Sequence, residues 1–143
     1  MNRLVIDASV AVKWYTREEH REKALRLRED HINGELTLTA PYLLAYEVIN
    51  ALRFNPSLTP GDLEDAVAAL FLLGIELEPP TRESMTEATH IAERYDTTIY
   101  DAAYLSLAIH ENATLVTSDK RLAEKSRETG KVKELASVST QQG

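Results

Sequence analysis

Apolar and polar positions follow two alternating periods along the chain, and these periods predict strands and helices in turn. Short apolar or alternating segments predict strands at residues 4–6, 35–39, 75–78 and 114–117, with a fifth, edge strand at 135–138. Longer amphipathic stretches predict helices from about residue 8 and over 17–30, 41–54, 59–74, 81–95, 98–110 and 120–128. Strands separated by helices pair in parallel through right-handed crossovers. We therefore predict a single three-layer α/β/α domain over residues 1–143, with a parallel sheet of four or five strands and residues 4–6 and 115–117 in its interior.

The composition limits the class of protein and the cellular compartment that we expect. The chain has 143 residues, 43% of them hydrophobic and 27% charged, which is typical of one globular domain. It has no cysteine, which excludes disulfides and thiolate metal sites. The apolar run before Asp7 is too short for a signal peptide, and no window approaches the ~18 apolar residues of a membrane span. We expect a cytoplasmic protein that does not interact with membranes.

The net charge of −7 argues against a broad phosphate-binding surface. Carboxylates gathered around divalent cations would account for part of that excess, because the cations neutralise them. A local basic segment also exists between residues 119 and 134, where six cations outnumber four acids: Lys120, Arg121, Lys125, Arg127, Lys131 and Lys133.

Two candidate site carboxylates follow predicted strands. Asp7 ends the first strand and Asp119 follows the fourth. In parallel sheets ligands bind beyond the carboxyl ends of the strands, which gives both acids a functional interpretation. The structural alternative is helix capping: Asp7 as an N-cap, and Ser118 or Asp119 as another.

Two further candidate acids lie on predicted helices. Glu47 interrupts an apolar stretch and shares a helix face with Asn50, three residues later. Such a carboxylate needs a partner or a cation unless it occupies the solvent-facing stripe of the helix. Asp101 lies three residues after Thr98, so it either serves the site or completes a capping box.

The four acids together indicate a more specific chemistry than any one of them does alone. Converging carboxylates repel one another, with raised pKa values, unless hard cations such as Mg²⁺ or Mn²⁺ bind between them. Zinc-hydrolase chemistry is disfavoured because the histidines are scattered at His20, His31, His90 and His110. No glycine-rich phosphate loop and no Gly-x-Ser-x-Gly motif is present. Magnesium-type carboxylate sites are suited to phosphoryl chemistry.

Four segments together resemble the motifs of PIN-domain ribonucleases, and most of all the stand-alone VapC-type toxins. They are LVIDASV (4–10), YEVINAL (46–52), YDAAYLSLA (100–108) and LVTSD (115–119). The resemblance spans nearly the whole chain, in order and at the right separations. It implies a PIN-like fold and Mg²⁺- or Mn²⁺-dependent endonucleolytic cleavage of RNA. It also implies a homodimer held inactive by a small antitoxin protein that inserts a segment into the active-site groove.

The resemblance also assigns roles to residues. The catalytic and metal-binding acids would be Asp7, Glu47, Asp101 and Asp119. We expect Asp7 and Asp101 to be inner ligands, Glu47 to lie close, and Asp119 to act through water or on a second ion. The supporting polar positions would be Ser9, Asn50 and Thr117.

Two alternatives compete with this interpretation. A haloacid-dehalogenase-like phosphatase also begins with a strand ending in Asp, but Ser9 occupies the place of its second Asp. A PIN fold could instead bind RNA or protein without cleaving, although all four acids are present.

The predicted helices also bear on assembly. Those carrying Leu43, Leu44, Leu63, Val67, Leu70 and Phe71 are more apolar than one sheet face requires, which favours a homodimer.

Overall fold

The computed structural model describes residues 2–139, and within them five strands form one sheet. The strands are β1 (Asn2–Ile6), β2 (Leu36–Pro41), β3 (Glu76–Glu78), β4 (Thr114–Thr117) and β5 (Val132–Glu134). Their order is β3-β2-β1-β4-β5, and every neighbouring pair is parallel. The predicted parallel sheet is confirmed, and β1 and β4 are interior strands as expected.

Seven α-helices connect and flank these strands within the described residues, in a three-layer α/β/α arrangement. They are α1 (Ala8–Ala11), α2 (Arg21–Ile32), α3 (Leu43–Arg53), α4 (Pro60–Leu72), α5 (Arg82–Tyr95), α6 (Ile99–His110) and α7 (Lys120–Lys125). Helix α6 packs on β1, β2 and β4 with α5 against it, whereas α1 contacts β4 and α3, and α2 contacts β2. Within residues 2–139, no helix is long and apolar enough to cross a bilayer.

The helix boundaries follow local hydrogen bonding. Thr59 and Asp62 form the predicted capping box that starts α4, with Pro60 at its first turn. Gly74 follows α4 with a φ of 69°, a left-handed conformation that glycine adopts without steric cost. These local signals therefore determine where α4 begins and ends.

The core lies along β1 and its two neighbouring strands. Val5 and Ile6 on β1, Leu38 on β2 and Leu115 on β4 are fully buried. A parallel sheet covered on both faces requires such nearly continuous apolar strands. Burial of these side chains fixes the strand register, and with it the position of the residues at the carboxyl ends.

Three predicted boundaries were wrong. The helix predicted over 17–30 begins only at Arg21, because His20 adopts a left-handed φ of 64° that the interior of an α-helix excludes. Pro41 does not open a helix but ends β2, where it pairs with Glu78. The helix predicted to reach residue 128 ends at Lys125 and is followed by a 3-10 turn, Arg127–Thr129.

The fifth strand was also misplaced. It is formed by Val132–Glu134, whereas the predicted segment begins with the 3-10 turn Leu135–Ser137. Leu135 is fully buried and packs into the core. The apolar residue that suggested a strand is thus a core contact of the turn that follows it.

Candidate active site

Asp7 lies at the carboxyl end of β1 and is only 6% exposed. It is the N-cap of α1, where Oδ1 accepts a hydrogen bond from the Ser9 backbone N–H at 3.1 Å. The capping interpretation is therefore correct, but capping uses only part of the carboxylate. The Ser9 hydroxyl also donates to Oδ1, and the Thr117 hydroxyl donates to Oδ2.

Burial makes ionisation of this carboxyl group costly. Burial is the largest of the effects that raise the pKa of Asp7 from an ordinary 3.8 to about 6, and the negative charge of Asp101 acts in the same direction. The hydrogen bonds from Ser9 and Thr117 act in the opposite direction, because they stabilise the charged form. Asp7 is thus a buried carboxylate with two hydroxyl donors and no ion-pair partner among residues 2–139.

The same two hydroxyls connect Asp7 to the loop after β4. Ile6 and Val116 are paired in the sheet, so Asp7 and Thr117 are adjacent. The Ser118 N–H donates to the Ser9 hydroxyl at 2.8 Å, and the Asp119 N–H donates to the Thr117 hydroxyl at 3.0 Å. The predicted supporting residues Ser9 and Thr117 therefore position the ends of both strands.

Asp101 lies in the first turn of α6. Thr98 caps this helix by accepting from the Asp101 N–H at 3.0 Å. The return bond from the Asp101 carboxylate, which would complete a capping box, is not formed within the described residues. Burial raises the pKa of Asp101, and the charge of Asp119 raises it further, whereas a hydrogen bond between the carboxylate and the Thr98 side chain, and the charge of Lys125, lower it.

Glu47 is half-buried on α3, and its partner is a residue that the sequence analysis missed. The Tyr104 hydroxyl donates to Glu47 Oε1 at 2.7 Å. Burial raises the pKa of Glu47, and the charge of Asp101 adds to this, while the Tyr104 bond lowers it. Tyr104 is itself 1% exposed. Its position three residues after Asp101, on the same face of α6, was the available signal.

The remaining predicted residues lie nearer the surface. Asp119 is the N-cap of α7, where it accepts from the Leu122 N–H at 3.1 Å. Asn50 is exposed on α3, and its side chain makes no hydrogen bond to any other residue between 2 and 139.

Asp101 links the predicted acids electrostatically. Its charge acts on Asp7 and on Glu47, and Asp119 in turn acts on Asp101. Three of the acids thus have the raised pKa values that were predicted, although burial is a larger cause than mutual repulsion. Among residues 2–139, no three His, Cys, Asp or Glu side chains are grouped closely enough to hold a metal ion. The available donors are carboxylate and hydroxyl oxygens, which suit Mg²⁺ or Mn²⁺.

A comparison with known families identifies the family of the chain. Residues 4–128 match the family model described as PIN domain. The chain belongs to the PIN domain family. The matched range begins in β1 and ends after α7, so it includes Asp7, Glu47, Asp101 and Asp119. The phosphatase alternative is therefore set aside.

Known relatives of this PIN domain include nucleases and toxins. The chain is 32% identical over 127 residues to Ribonuclease VapC3 of Pyrobaculum aerophilum, an alignment covering 86% of this chain and 94% of the relative. The crystal structure of PAE2754 from the same organism matches with a TM-score of 0.67 and 25% identity, covering 94% of this chain and 90% of that one.

Two more distant structures share the fold at 14% identity. VapC20 of Mycobacterium tuberculosis, described as a Sarcin-Ricin loop cleaving toxin, has a TM-score of 0.66, with 85% of this chain and 93% of that chain covered. VapBC2 of Rickettsia felis, bound to a DNA fragment from its promoter, has a TM-score of 0.64, with 92% and 98% covered.

Proposed function

We propose that this PIN domain is a Mg²⁺- or Mn²⁺-dependent endoribonuclease whose metal-binding acids are Asp7, Glu47, Asp101 and Asp119. Membership of the PIN family and similarity to a curated VapC ribonuclease support RNA cleavage. The metal requirement is supported by the oxygen-only donor set around Asp7.

The observation that carries the proposal is the burial of Asp7 without a cationic side chain beside it. A buried charge normally has a partner or shifts its pKa. Asp7 is held by Ser9 and Thr117, which donate hydrogen bonds but contribute no positive charge. Asp101, the nearby charge that acts on it, is negative. A divalent cation would offset both the burial and the repulsion.

The side chains of this site have separable tasks. Ser9 and Thr117 orient the two oxygens of Asp7, and Tyr104 orients Glu47. When bound, the cation would lower the pKa of a coordinated water and stabilise the leaving oxygen of the phosphodiester. Asp119, exposed at the mouth of the site, would act through water or on a second ion.

We further propose that the enzyme is the toxin of a toxin–antitoxin pair, acting in the cytoplasm and held inactive by a small antitoxin protein. The supporting observations are its similarity to Ribonuclease VapC3 and the VapC and VapBC descriptions of its structural neighbours. Co-purification of the chain with the product of an adjacent small gene, and loss of RNA cleavage in that complex, would test this role.

We propose a homodimer from the distribution of apolar surface. The structure buries Leu44 and Leu70 in the monomer, so these two residues are not available to a partner. On α4, however, Phe71 and Leu72 are 61% and 85% exposed. Val67, which is 38% exposed, lies one helical turn before Phe71, and exposed apolar side chains on one helix face are typical of interaction sites.

The nuclease proposal is tested by metal-dependent cleavage. Purified protein should cleave RNA internally with Mg²⁺ or Mn²⁺, and excess EDTA should abolish the activity. Asp7→Asn should lower cleavage by at least ~100-fold, corresponding to roughly 2.7 kcal/mol of transition-state stabilisation. Asp65→Asn, at an exposed acid on α4, is the matched control and should cleave as the wild type does.

Metal binding gives an independent readout. Mn²⁺ titration followed by electron paramagnetic resonance should show weaker binding to Asp7→Asn than to Asp65→Asn. Full cleavage in EDTA would refute the metal requirement. Intact Mn²⁺ binding with no RNA cleavage under any condition would instead support a PIN fold that binds without cutting.

A further inference from the structure

Most cationic side chains outside the region after β4 are engaged by the protein itself. Arg3 pairs with Glu76, Arg26 with Asp30, and Arg94 with Glu128. Arg21 donates to the backbone carbonyl oxygens of Lys13 and Trp14. Lys23 donates to the carbonyl of Ala136, and Lys13 pairs with Glu18. These cations have structural partners that account for their positions.

Three cations in α7 and the turn that follows it have no such partner. Lys120 and Arg121 directly follow Asp119, and Arg127 lies just after α7. All three are exposed, and within residues 2–139 none makes a side-chain hydrogen bond or ion pair. Glu124 lies four residues after Lys120, at a spacing that favours ion pairs, yet the two side chains do not pair.

Two of these cations also occupy unfavourable positions. Lys120 and Arg121 are in the first turn of α7, where the helix dipole disfavours positive charge by some tenths of a kcal/mol per residue. No acidic residue of α7 lies in that turn. The helix dipole therefore does not explain them, whereas a negatively charged ligand arriving beside Asp119 would.

We propose that Lys120, Arg121 and Arg127 form a basic strip that binds the phosphate backbone of single-stranded RNA and leads it into the site between Asp119 and Asp7. This inference rests on the proposed ribonuclease function and specifies the surface that the substrate uses. It also accounts for RNA binding by a chain of net charge −7. The strip is local and begins directly after Asp119, while acidic surface elsewhere repels the polyanion.

The test measures RNA binding apart from cleavage. In the Asp7→Asn background without divalent metal, a fluorescein-labelled oligouridylate is titrated by fluorescence anisotropy at several KCl concentrations. We expect the salt dependence to weaken in the triple variant Lys120→Gln, Arg121→Gln, Arg127→Gln. The negative slope of log affinity against log salt should become less steep by about 2, since each single-strand phosphate contact contributes about 0.7. At about 0.1 M salt this corresponds to roughly 100-fold weaker binding.

Arg82→Gln is the matched control. Arg82 is an exposed arginine that has no partner within the described residues, and it begins α5. Arg94, near the other end of α5, pairs with Glu128 beside Arg127. At 1.5 Å per residue, Arg82 lies about 18 Å from Arg94 along the helix. It should leave the slope unchanged. If the triple variant does not fold, each single variant should still lower the slope by about 0.7 and the affinity by roughly 5-fold.

The outcomes separate this proposal from the nuclease proposal. If neither the triple variant nor Arg82→Gln changes the salt slope, the basic strip is overturned, even if the wild type cleaves RNA. A slope that falls only in the strip variants supports the strip, even if the wild type proves unable to cleave. If the strip variants weakened binding of an acidic protein ligand more than binding of RNA, the proposal would also be overturned.

Discussion

Replacing Asp7 with Asn should stabilise the metal-free protein while it abolishes cleavage. The carboxyl group is buried, and its pKa is raised from 3.8 to about 6. The carboxyl group therefore binds a proton more tightly in the folded protein than in the unfolded chain. The sign follows directly: this group opposes folding increasingly as pH rises from about 4 to about 6, and the penalty is nearly complete at pH 7.

The size of the effect follows from the two pKa values. A pKa difference of about 2 corresponds to roughly 3 kcal/mol at pH 7, and this penalty falls to about half as much at pH 5 and is small at pH 4. The asparagine oxygen can still accept from Ser9 and cap α1 about as well as aspartate does. Less favourable bonding to Thr117 would offset part of the gain. We expect a net stabilisation of roughly 1–3 kcal/mol at pH 7.

The assay is urea denaturation of both proteins in EDTA at pH 4, 5 and 7, with Asp65→Asn as the control for removing an exposed carboxylate. The gain in unfolding free energy should grow with pH only for Asp7→Asn. Saturating Mg²⁺ should then stabilise the wild type more than the variant, because binding to the folded state adds to stability.

One pattern would contradict this reasoning. If Asp7→Asn destabilised the metal-free protein equally at every pH, the carboxylate would serve folding rather than metal binding. Unchanged stability at all three pH values, with unchanged cleavage, would mean that Asp7 is a cap and no more.

Three further predictions test the remaining features. Asp101→Asn should lower cleavage by at least ~100-fold and Asp119→Asn by less, measured on purified folded protein, because the charge of Asp101 acts on both Asp7 and Glu47 whereas Asp119 lies at the surface. Tyr104→Phe should cost about 1–2 kcal/mol in urea denaturation and weaken Mn²⁺ binding, since it removes the donor that orients Glu47; unchanged Mn²⁺ affinity would assign Tyr104 a purely structural role. The wild type should be a dimer by light scattering at micromolar concentration and Phe71→Asp a monomer, because an exposed aromatic would be replaced by a charge; a monomeric wild type would refute the dimer.

Much of the architecture was predictable because its signals are local. Apolar runs bounded by polar segments identified β1 and β4, and the alternation of strands with helices predicted a parallel sheet. The capping sequence from Thr59 correctly started α4. Where local signals were ambiguous, tertiary packing decided. Leu135 resembles a strand residue in sequence but is buried in a turn, and the chain pairs with β4 three residues earlier.

The identities of the candidate acids were also accessible from sequence, because strand ends and polar interruptions of apolar helices are visible there. What each acid contacts was not. The bond between Glu47 and Tyr104 joins residues 57 positions apart, and the bond between Asp7 and Thr117 joins residues 110 apart. Only the pairing of β1 with β4, and the packing of α6 on the sheet, brings these groups together.

The electrostatic character of the site was decided by the tertiary structure as well. From sequence, mutual repulsion was expected to raise the carboxyl pKa values, but desolvation is the larger cause at Asp7, Glu47 and Asp101. Desolvation depends on how completely neighbouring elements exclude water, which residue types alone do not specify. The sequence by itself therefore determined which oxygen ligands are available and in what order along the chain. The fold determined how far each one is buried, and so what it costs to keep each one charged.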